Sequence, residues 1–250
     1  TPERSSAASD VYKRQAYNQI IGKNTGIVFL SGYNSDMHGN KALYIEKWAK
    51  ENNHSFLRFD YSGHGESSGE FEKTYFSDWY KDAHYLITHL TEGKQILVGS
   101  SMGGWIMLML AKCMPEKVSS MIGLAAAPDF PKILIWDKLN SFQKRELIKN
   151  KGLTKKNDDG TTNFFSYNFI KDSLENLTMI DEINFKGPVF LYHGMKDLDV
   201  PYELSIEISK KIVGTNEIRI LLEKNAGHRL SDDNQLNTII SLIKQNISLL

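Results

Sequence analysis

With 250 residues, 41% of them hydrophobic, the chain carries enough apolar material for one domain with a large buried core. Its 30 basic and 30 acidic side chains cancel, so bulk charge gives no reason to expect nucleic acid or an anionic membrane surface as partner. The single cysteine, Cys113, excludes an internal disulfide and a multi-cysteine zinc site, and no apolar run approaches the roughly 18 residues of a membrane span.

Residues 1–15 are small and polar and lack the periodicity of a strand or helix. They are expected to form a disordered or artefactual tail, foreign to a single domain over residues 16–250. Residues 26–30 (GIVFL) form a short apolar run closed by Ser31-Gly32, the pattern of a buried parallel strand. Residues 40–50 have helical spacing, with Leu43, Trp48 and Ala49 able to face one side. A second strand over 55–59 ends in the turn-rich run Asp60-Tyr61-Ser62-Gly63-His64-Gly65. Residues 78–90 read as a helix, 95–98 as a third strand, 102–114 as an apolar helix and 118–126 as a fourth strand. Alternation of this kind predicts an α/β fold, a doubly wound and mostly parallel sheet.

The rhythm breaks over residues 128–186. Sixty residues without a strand-helix-strand unit are too many for a plain connection, and this segment is expected to be an inserted helical cap. Alternation returns with a strand over 188–192, a helix over 202–212, a strand over 217–222 and a last helix from 230 to about 247.

Chemistry concentrates at the third strand. Gly99-Ser100-Ser101-Met102-Gly103 follows an apolar strand and opens an apolar helix. A bare Gly-x-Ser-x-Gly arises by composition in roughly one such chain in ten, so its placement carries the argument. A strand-to-helix turn leaves the serine exposed, and the free N–H groups of the helix start favour developing negative charge. Ser101 is the predicted nucleophile; Ser100 lacks the glycine spacing. A serine hydroxyl needs a base, and hydrolases with this elbow supply it in the chain order Ser, Asp or Glu, His. The acid is expected beyond a late strand, in His193-Gly194-Met195-Lys196-Asp197-Leu198-Asp199. Asp197 is favoured, Asp199 competes closely, and Asp129 is a weaker third. His228, in Asn225-Ala226-Gly227-His228-Arg229, is the histidine after the last strand and the expected base. The remaining histidines, His64 and His193 among them, receive no catalytic role. They show no His-Glu-x-x-His spacing, and neither metal nor cofactor is expected. Backbone N–H groups of Met102 and of Tyr33, in Ser31-Gly32-Tyr33-Asn34, are the expected oxyanion donors. Trp105, Phe130 and Trp136 are the expected substrate-binding residues.

These residues resemble the α/β-hydrolase superfamily. The runs Arg58-Phe59-Asp60-Tyr61-Ser62-Gly63, Ile96-Leu97-Val98-Gly99-Ser100-Ser101 and His193-Gly194-Met195-Lys196-Asp197 resemble, within it, the abhydrolase domain-containing protein 10 family, as do Gly103-Gly104-Trp105 and Pro115-Glu116-Lys117-Val118. The likeness spans about residue 16 to the C-terminus and is least in the cap. It implies a palmitoyl-protein thioesterase that also hydrolyses acyl glucuronides, with a triad of Ser101, Asp197 and His228. Acyl esters or thioesters, S-acylated proteins among them, are the implied substrates. Ser31-Gly32 departs from the Pro-Gly or His-Gly of many relatives. A general carboxylesterase, a monoacylglycerol-lipase-like enzyme, a C–C or C–N bond hydrolase and a non-catalytic binding module are the rival readings. Abundant lysine and asparagine and the lone cysteine favour a cytoplasmic setting, with a mitochondrial one as the alternative.

Overall fold

The structure, a computed structural model, describes residues 3–6, 14–157 and 160–250. In chain order the elements of the first half are β1 (Glu3–Ser6), β2 (Arg14–Ile20), β3 (Asn24–Leu30), α1 (Asn40–Glu51), β4 (His54–Phe59), α2 (Phe76–Leu90), β5 (Gln95–Ser100), α3 (Met102–Cys113) and β6 (Val118–Leu124). There follow α4 (Ser141–Lys149), β7 (Gly152–Lys156), β8 (Thr162–Ser166), α5 (Tyr167–Glu175), β9 (Ile183–Asn184), β10 (Val189–Gly194), α6 (Glu203–Lys211), β11 (Ile212–Val213), β12 (Ile218–Glu223) and α7 (Asp233–Ile247).

Eight strands form one sheet in the order β1-β2-β4-β3-β5-β6-β10-β12. The first two are antiparallel to their neighbours, and the six from β4 to β12 run parallel. Parallel strands covered on both faces must be apolar throughout, which is why 27–30 and 96–98 read as unbroken hydrophobic runs. Side chains still alternate between two layers. Ile27, Phe29, Phe56, Ile96 and Val98 meet Ile45 of α1 and Ile239 and Ile243 of α7. Val28, Leu30, Leu57 and Leu97 meet Trp79 and Leu86 of α2 and Met107 of α3. Burial of each such side chain contributes about 1.5–3 kcal/mol.

Three expectations need correction. The expected tail is partly sheet: Glu3–Ser6 pairs with Arg14–Tyr17 of β2, and Gln15 is buried, its carboxamide donating to Asp82 Oδ1 at 2.7 Å and Ser62 Oγ at 3.3 Å. Polar residues hide this strand because their partners lie on β4's turn and α2. Residues 1–2 and 7–13 of that tail lie outside the described residues. In α1 the buried face is Ala42, Ile45 and Ala49: Ala49 is buried as expected, Trp48 is half-buried and Leu43 is exposed. The segment expected to be a helical cap is mixed: α4 and α5 flank an antiparallel hairpin of β7 and β8. The strands read Gly-Leu-Thr-Lys-Lys and Thr-Asn-Phe-Phe-Ser, so the hairpin lacks the alternation of apolar and polar residues that marks a strand in sequence.

Candidate active site

The turn from β5 into α3 holds Ser101 at φ +53° and ψ −119°, a strained conformation for a residue with a side chain. Its backbone is fixed on both sides. The Ser101 N–H donates to Leu124 O at 2.9 Å, and its carbonyl accepts from Gly104 and Ala127. Glycine at 103 is obligatory: a Cβ there would stand 2.0 Å from the Leu30 carbonyl oxygen. That close approach brings the start of α3 against the end of β3.

His228 stands in the loop after β12, with Nε2 3.0 Å from Ser101 Oγ and Nδ1 2.6 Å from Asp197 Oδ2. A carboxylate only accepts, so Nδ1 carries the proton and Nε2 offers its lone pair to the serine hydroxyl. Asp197 lies in the turn after β10, its side chain fully buried. Its Oδ1 accepts the N–H groups of Asp199 (2.9 Å) and Val200 (2.8 Å). Its Oδ2 accepts a second imidazole, His193 Nε2, at 3.1 Å. Burial alone would raise this carboxyl's pKa. The hydrogen bonds from His193, His228 and Val200, with the charge of His228, outweigh it and hold Asp197 well below the usual carboxylate range.

The three acid candidates are thereby separated by position. Asp197 reaches His228, whereas the Asp199 backbone helps brace Asp197. Asp129 accepts the N–H groups of Thr178 and Met179, both at 2.8 Å, and ties the inserted segment to the end of β6. His193, given no role by sequence, is buried against Asp197, with Nδ1 2.8 Å from Ser205 Oγ. Its signal was the four-residue step to Asp197 at the end of β10.

Across Ser101 runs the loop after β3. Gly32 passes so close that a Cβ on it would be 3.4 Å from Ser101 Cβ. The turn closes with Ser35 N–H donating to Gly32 O at 3.3 Å. Met102 opens α3 on the other side of Ser101, so the two expected oxyanion residues flank the serine. The Tyr33 ring packs among Phe71, Trp79, Phe130, Phe165 and Phe169, and its hydroxyl donates to Phe164 O at 2.7 Å.

Ser101 and His228 face a cleft of about 810 Å³. One wall is apolar, built from Phe130, Leu134, Ile135 and Phe165 of the inserted segment. The opposite wall is polar, with Asp36, Asn40, Lys41, Arg229 and Gln235. Lys41 Nζ donates to the Arg229 carbonyl and so ties α1 to the His228 loop. Burial, helped by the Arg229 charge, pushes its ammonium down to about 8.

Residues 23–235 match the sequence pattern of the serine aminopeptidase S33 hydrolases. The chain belongs to this family of α/β hydrolases. The hydrolase is 38% identical over 232 residues to bovine mitochondrial palmitoyl-protein thioesterase ABHD10, covering 91% of this chain and 74% of that protein. The human protein of that name is 37% identical over the same length. The solved structure of mouse α/β hydrolase domain-containing protein 10 superposes with a TM-score of 0.93 at 33% identity, covering 99% of this chain and 98% of that one. Est1E from Butyrivibrio proteoclasticus shares the fold, with a TM-score of 0.75 at 15% identity and 99% coverage of both chains. The mammalian relatives are named mitochondrial, which runs against the cytoplasmic expectation and agrees with its alternative.

Of the expected substrate-binding residues in the hydrolase, Phe130 alone lines the cleft. Trp105 is fully buried, stacked on Phe76 at 3.5 Å between centroids, with Nε1 donating to Thr178 Oγ1. It follows the elbow by one helical turn and faces the α2 side of the core. Trp136 packs beside Tyr167 with the Lys144 ammonium 4.8 Å over its ring, outside the cleft lining. Leu134, Ile135 and Phe165 take the places assigned to these two tryptophans.

Proposed function

We propose that this hydrolase cleaves acyl thioesters and esters through an acyl-enzyme on Ser101. The observation that carries the reading is the unbroken hydrogen-bonded line from Ser101 Oγ through His228 to buried Asp197, opening into a cleft with one apolar wall. Ser101 Oγ attacks the carbonyl carbon as its proton passes to His228 Nε2. The Tyr33 and Met102 N–H groups receive the oxyanion, and His228 returns the proton to the departing thiol or alcohol. Water, deprotonated by the same imidazole, then releases the acid. Asp197 keeps the imidazole in the productive tautomer and stabilises its cation.

The segment 128–186 serves as the acyl cap in this reading, through Phe130, Leu134, Ile135 and Phe165. The polar wall accommodates a hydrophilic leaving group. Likeness to the palmitoyl-protein thioesterases supports a long-chain S-acyl substrate. A fluorophosphonate probe tests the nucleophile: wild type is labelled and Ser101→Ala is not, and equal labelling of both refutes the mechanism. Rates on palmitoyl thioester, acetyl ester and acyl glucuronide rank the substrates. Strong preference for the acetyl ester would count against a thioesterase.

A further inference from the structure

His64 lies in the turn after β4, 4% exposed, about one helical turn's distance in sequence from Asp60 and far in sequence from any triad member. Three aromatic rings meet it edge-on: Tyr61 at 5.6 Å, Phe71 at 4.9 Å and Trp79 at 4.9 Å between centroids. Both ring nitrogens face the backbone. Nδ1 is 3.3 Å from the Ser62 carbonyl oxygen, and Nε2 is 3.3 Å from the Asn34 N–H. A carbonyl can only accept and an amide N–H can only donate. The imidazole therefore carries its hydrogen on Nδ1 and presents a lone pair at Nε2, a single neutral tautomer specified at both ends. Burial, against the smaller pull of the Ser62 bond, pushes the imidazole's pKa down to about 4, in keeping with that neutral form.

Asn34 is no ordinary partner. It sits at φ +53° in the turn Gly32–Ser35, directly beside Tyr33. Only glycine, asparagine and aspartate adopt such a φ readily, and a turn held there can relax by rotating its peptide planes. The His64 bond fixes the Tyr33–Asn34 peptide plane from below. The Tyr33 hydroxyl, bonded to Phe164 O, fixes the same residue at its other end. With both tethers in place, the preceding peptide, which carries the Tyr33 N–H, has little freedom over Ser101.

We propose that His64 is a positioning residue for the reaction: as a neutral hydrogen-bond acceptor for Asn34 N–H, it holds the oxyanion loop so that the Tyr33 N–H is aimed at the developing oxyanion. This rests on the acyl-transfer reading of Ser101. His64 touches no substrate atom and moves no proton.

The tautomer is read on the wild-type protein, without any variant, by long-range proton–nitrogen correlation of labelled histidine near neutral pH. A neutral ring with hydrogen on Nδ1 is the expected result; an Nε2–H tautomer or a charged ring overturns the proposal. Two substitutions then test the consequence. His64→Phe keeps the ring's volume and removes the acceptor, and His64→Gln returns an acceptor near Nε2. Misaimed catalytic groups cost up to about 100-fold in rate, so His64→Phe is expected to lose roughly 10- to 100-fold in kcat while KM stays within about twofold. His64→Gln is expected to recover most of that loss although its thermal stability is no higher. Full kcat in His64→Phe, or a glutamine variant no better than phenylalanine, overturns the proposal. Fluorophosphonate titration of each sample counts active serines first. Failure of the wild type to label would refute the acyl-enzyme reading, whereas labelling with an unaffected His64→Phe refutes only this inference.

Discussion

Replacing Asp197 by asparagine changes one oxygen to NH2, and the hydrogen bonds around it dictate which one. Oδ1 receives two backbone N–H groups, from Asp199 at 2.9 Å and Val200 at 2.8 Å. Neither can accept, so the amide oxygen must stay there. The NH2 is left facing His228 Nδ1 and His193 Nε2, both of which now have to accept. His193 can turn its Nδ1 to donate to the Ser205 hydroxyl, but Nε2 then no longer donates to the Val200 carbonyl oxygen 3.1 Å away, so the swap costs that one bond. His228 can comply only by moving its hydrogen to Nε2. That hydrogen then points at Ser101 Oγ, and the base has no lone pair where it is needed. The fold gives up only the His193–Val200 bond while the chemistry loses its acceptor. Loss of the productive tautomer lowers kcat by about 10⁴, or about 5 kcal/mol in the barrier. Steady-state hydrolysis of a soluble p-nitrophenyl ester measures kcat and KM, and thermal unfolding reports the fold. The expected result is a near-normal KM, a melting temperature lowered only by the cost of one hydrogen bond, about 1 kcal/mol, and the large loss in kcat. An Asp197→Asn variant within about tenfold of wild type would refute the assignment of Asp197 as His228's partner. So would an Asp199→Asn variant that loses as much.

The elbow is equally exposed to test. In Gly103→Ala the new Cβ would stand 2.0 Å from the Leu30 carbonyl oxygen, a backbone atom that cannot step aside, so stability should fall by about 3 kcal/mol or more. A variant melting at the wild-type temperature would contradict the close approach of α3 to β3. Leu134→Phe narrows the apolar wall of the cleft, and each methylene it excludes forfeits about 0.8 kcal/mol. The ratio of kcat/KM for palmitoyl over butyryl esters should drop several-fold, and an unchanged ratio would remove Leu134 from the acyl pocket. Buried His64 also gives stability a pH signature. The unfolded chain binds a proton near the ordinary value of about 6.5, whereas the native imidazole resists until about 4. Stability therefore declines as pH falls through that window, by at most about 3 kcal/mol. Asp197, held below the usual carboxylate range, stabilises above the unfolded value of about 3.9 and loses that contribution only at lower pH. Urea midpoints between neutrality and pH 4.5 follow that decline, which works against Asp60 and Asp129, whose carboxyls burial raises and which therefore stabilise as pH falls; the comparison of wild type with His64→Phe isolates the histidine. His64→Phe should flatten the decline, and an unchanged slope would show that another group causes it.

What the sequence makes legible follows from how local each constraint is. The parallel strands advertise themselves because burial on both faces demands continuous apolar residues, as at Ile27–Leu30 and Ile96–Val98. The elbow is legible because its turn needs small residues within three positions of Ser101, and chain order then points to Asp197 and His228. Wherever a residue's role depends on a partner distant in sequence, the pattern is silent. Gln15 looks like tail because its acceptors are at Ser62 and Asp82. Trp105 looks available for substrate because nothing near it in sequence says that Phe76 covers its ring and Thr178 takes its N–H.

The two overlooked histidines make the same point from the side of function. His193, at the end of β10, and His64, in the turn after β4, each stand next to glycine, where an imidazole is usually solvated. Both are buried, and each has its hydrogen placed by groups that cannot exchange donor for acceptor. A buried imidazole without partners would be a liability of a few kcal/mol, so finding it fully bonded shifts attention to what it holds. His193 bonds Asp197, and His64 bonds the loop beside Ser101. In the proposed mechanism the alignment of Ser101, His228 and Asp197 thus depends on side chains outside those three, and a variant at either histidine loses catalysis while all three remain in place.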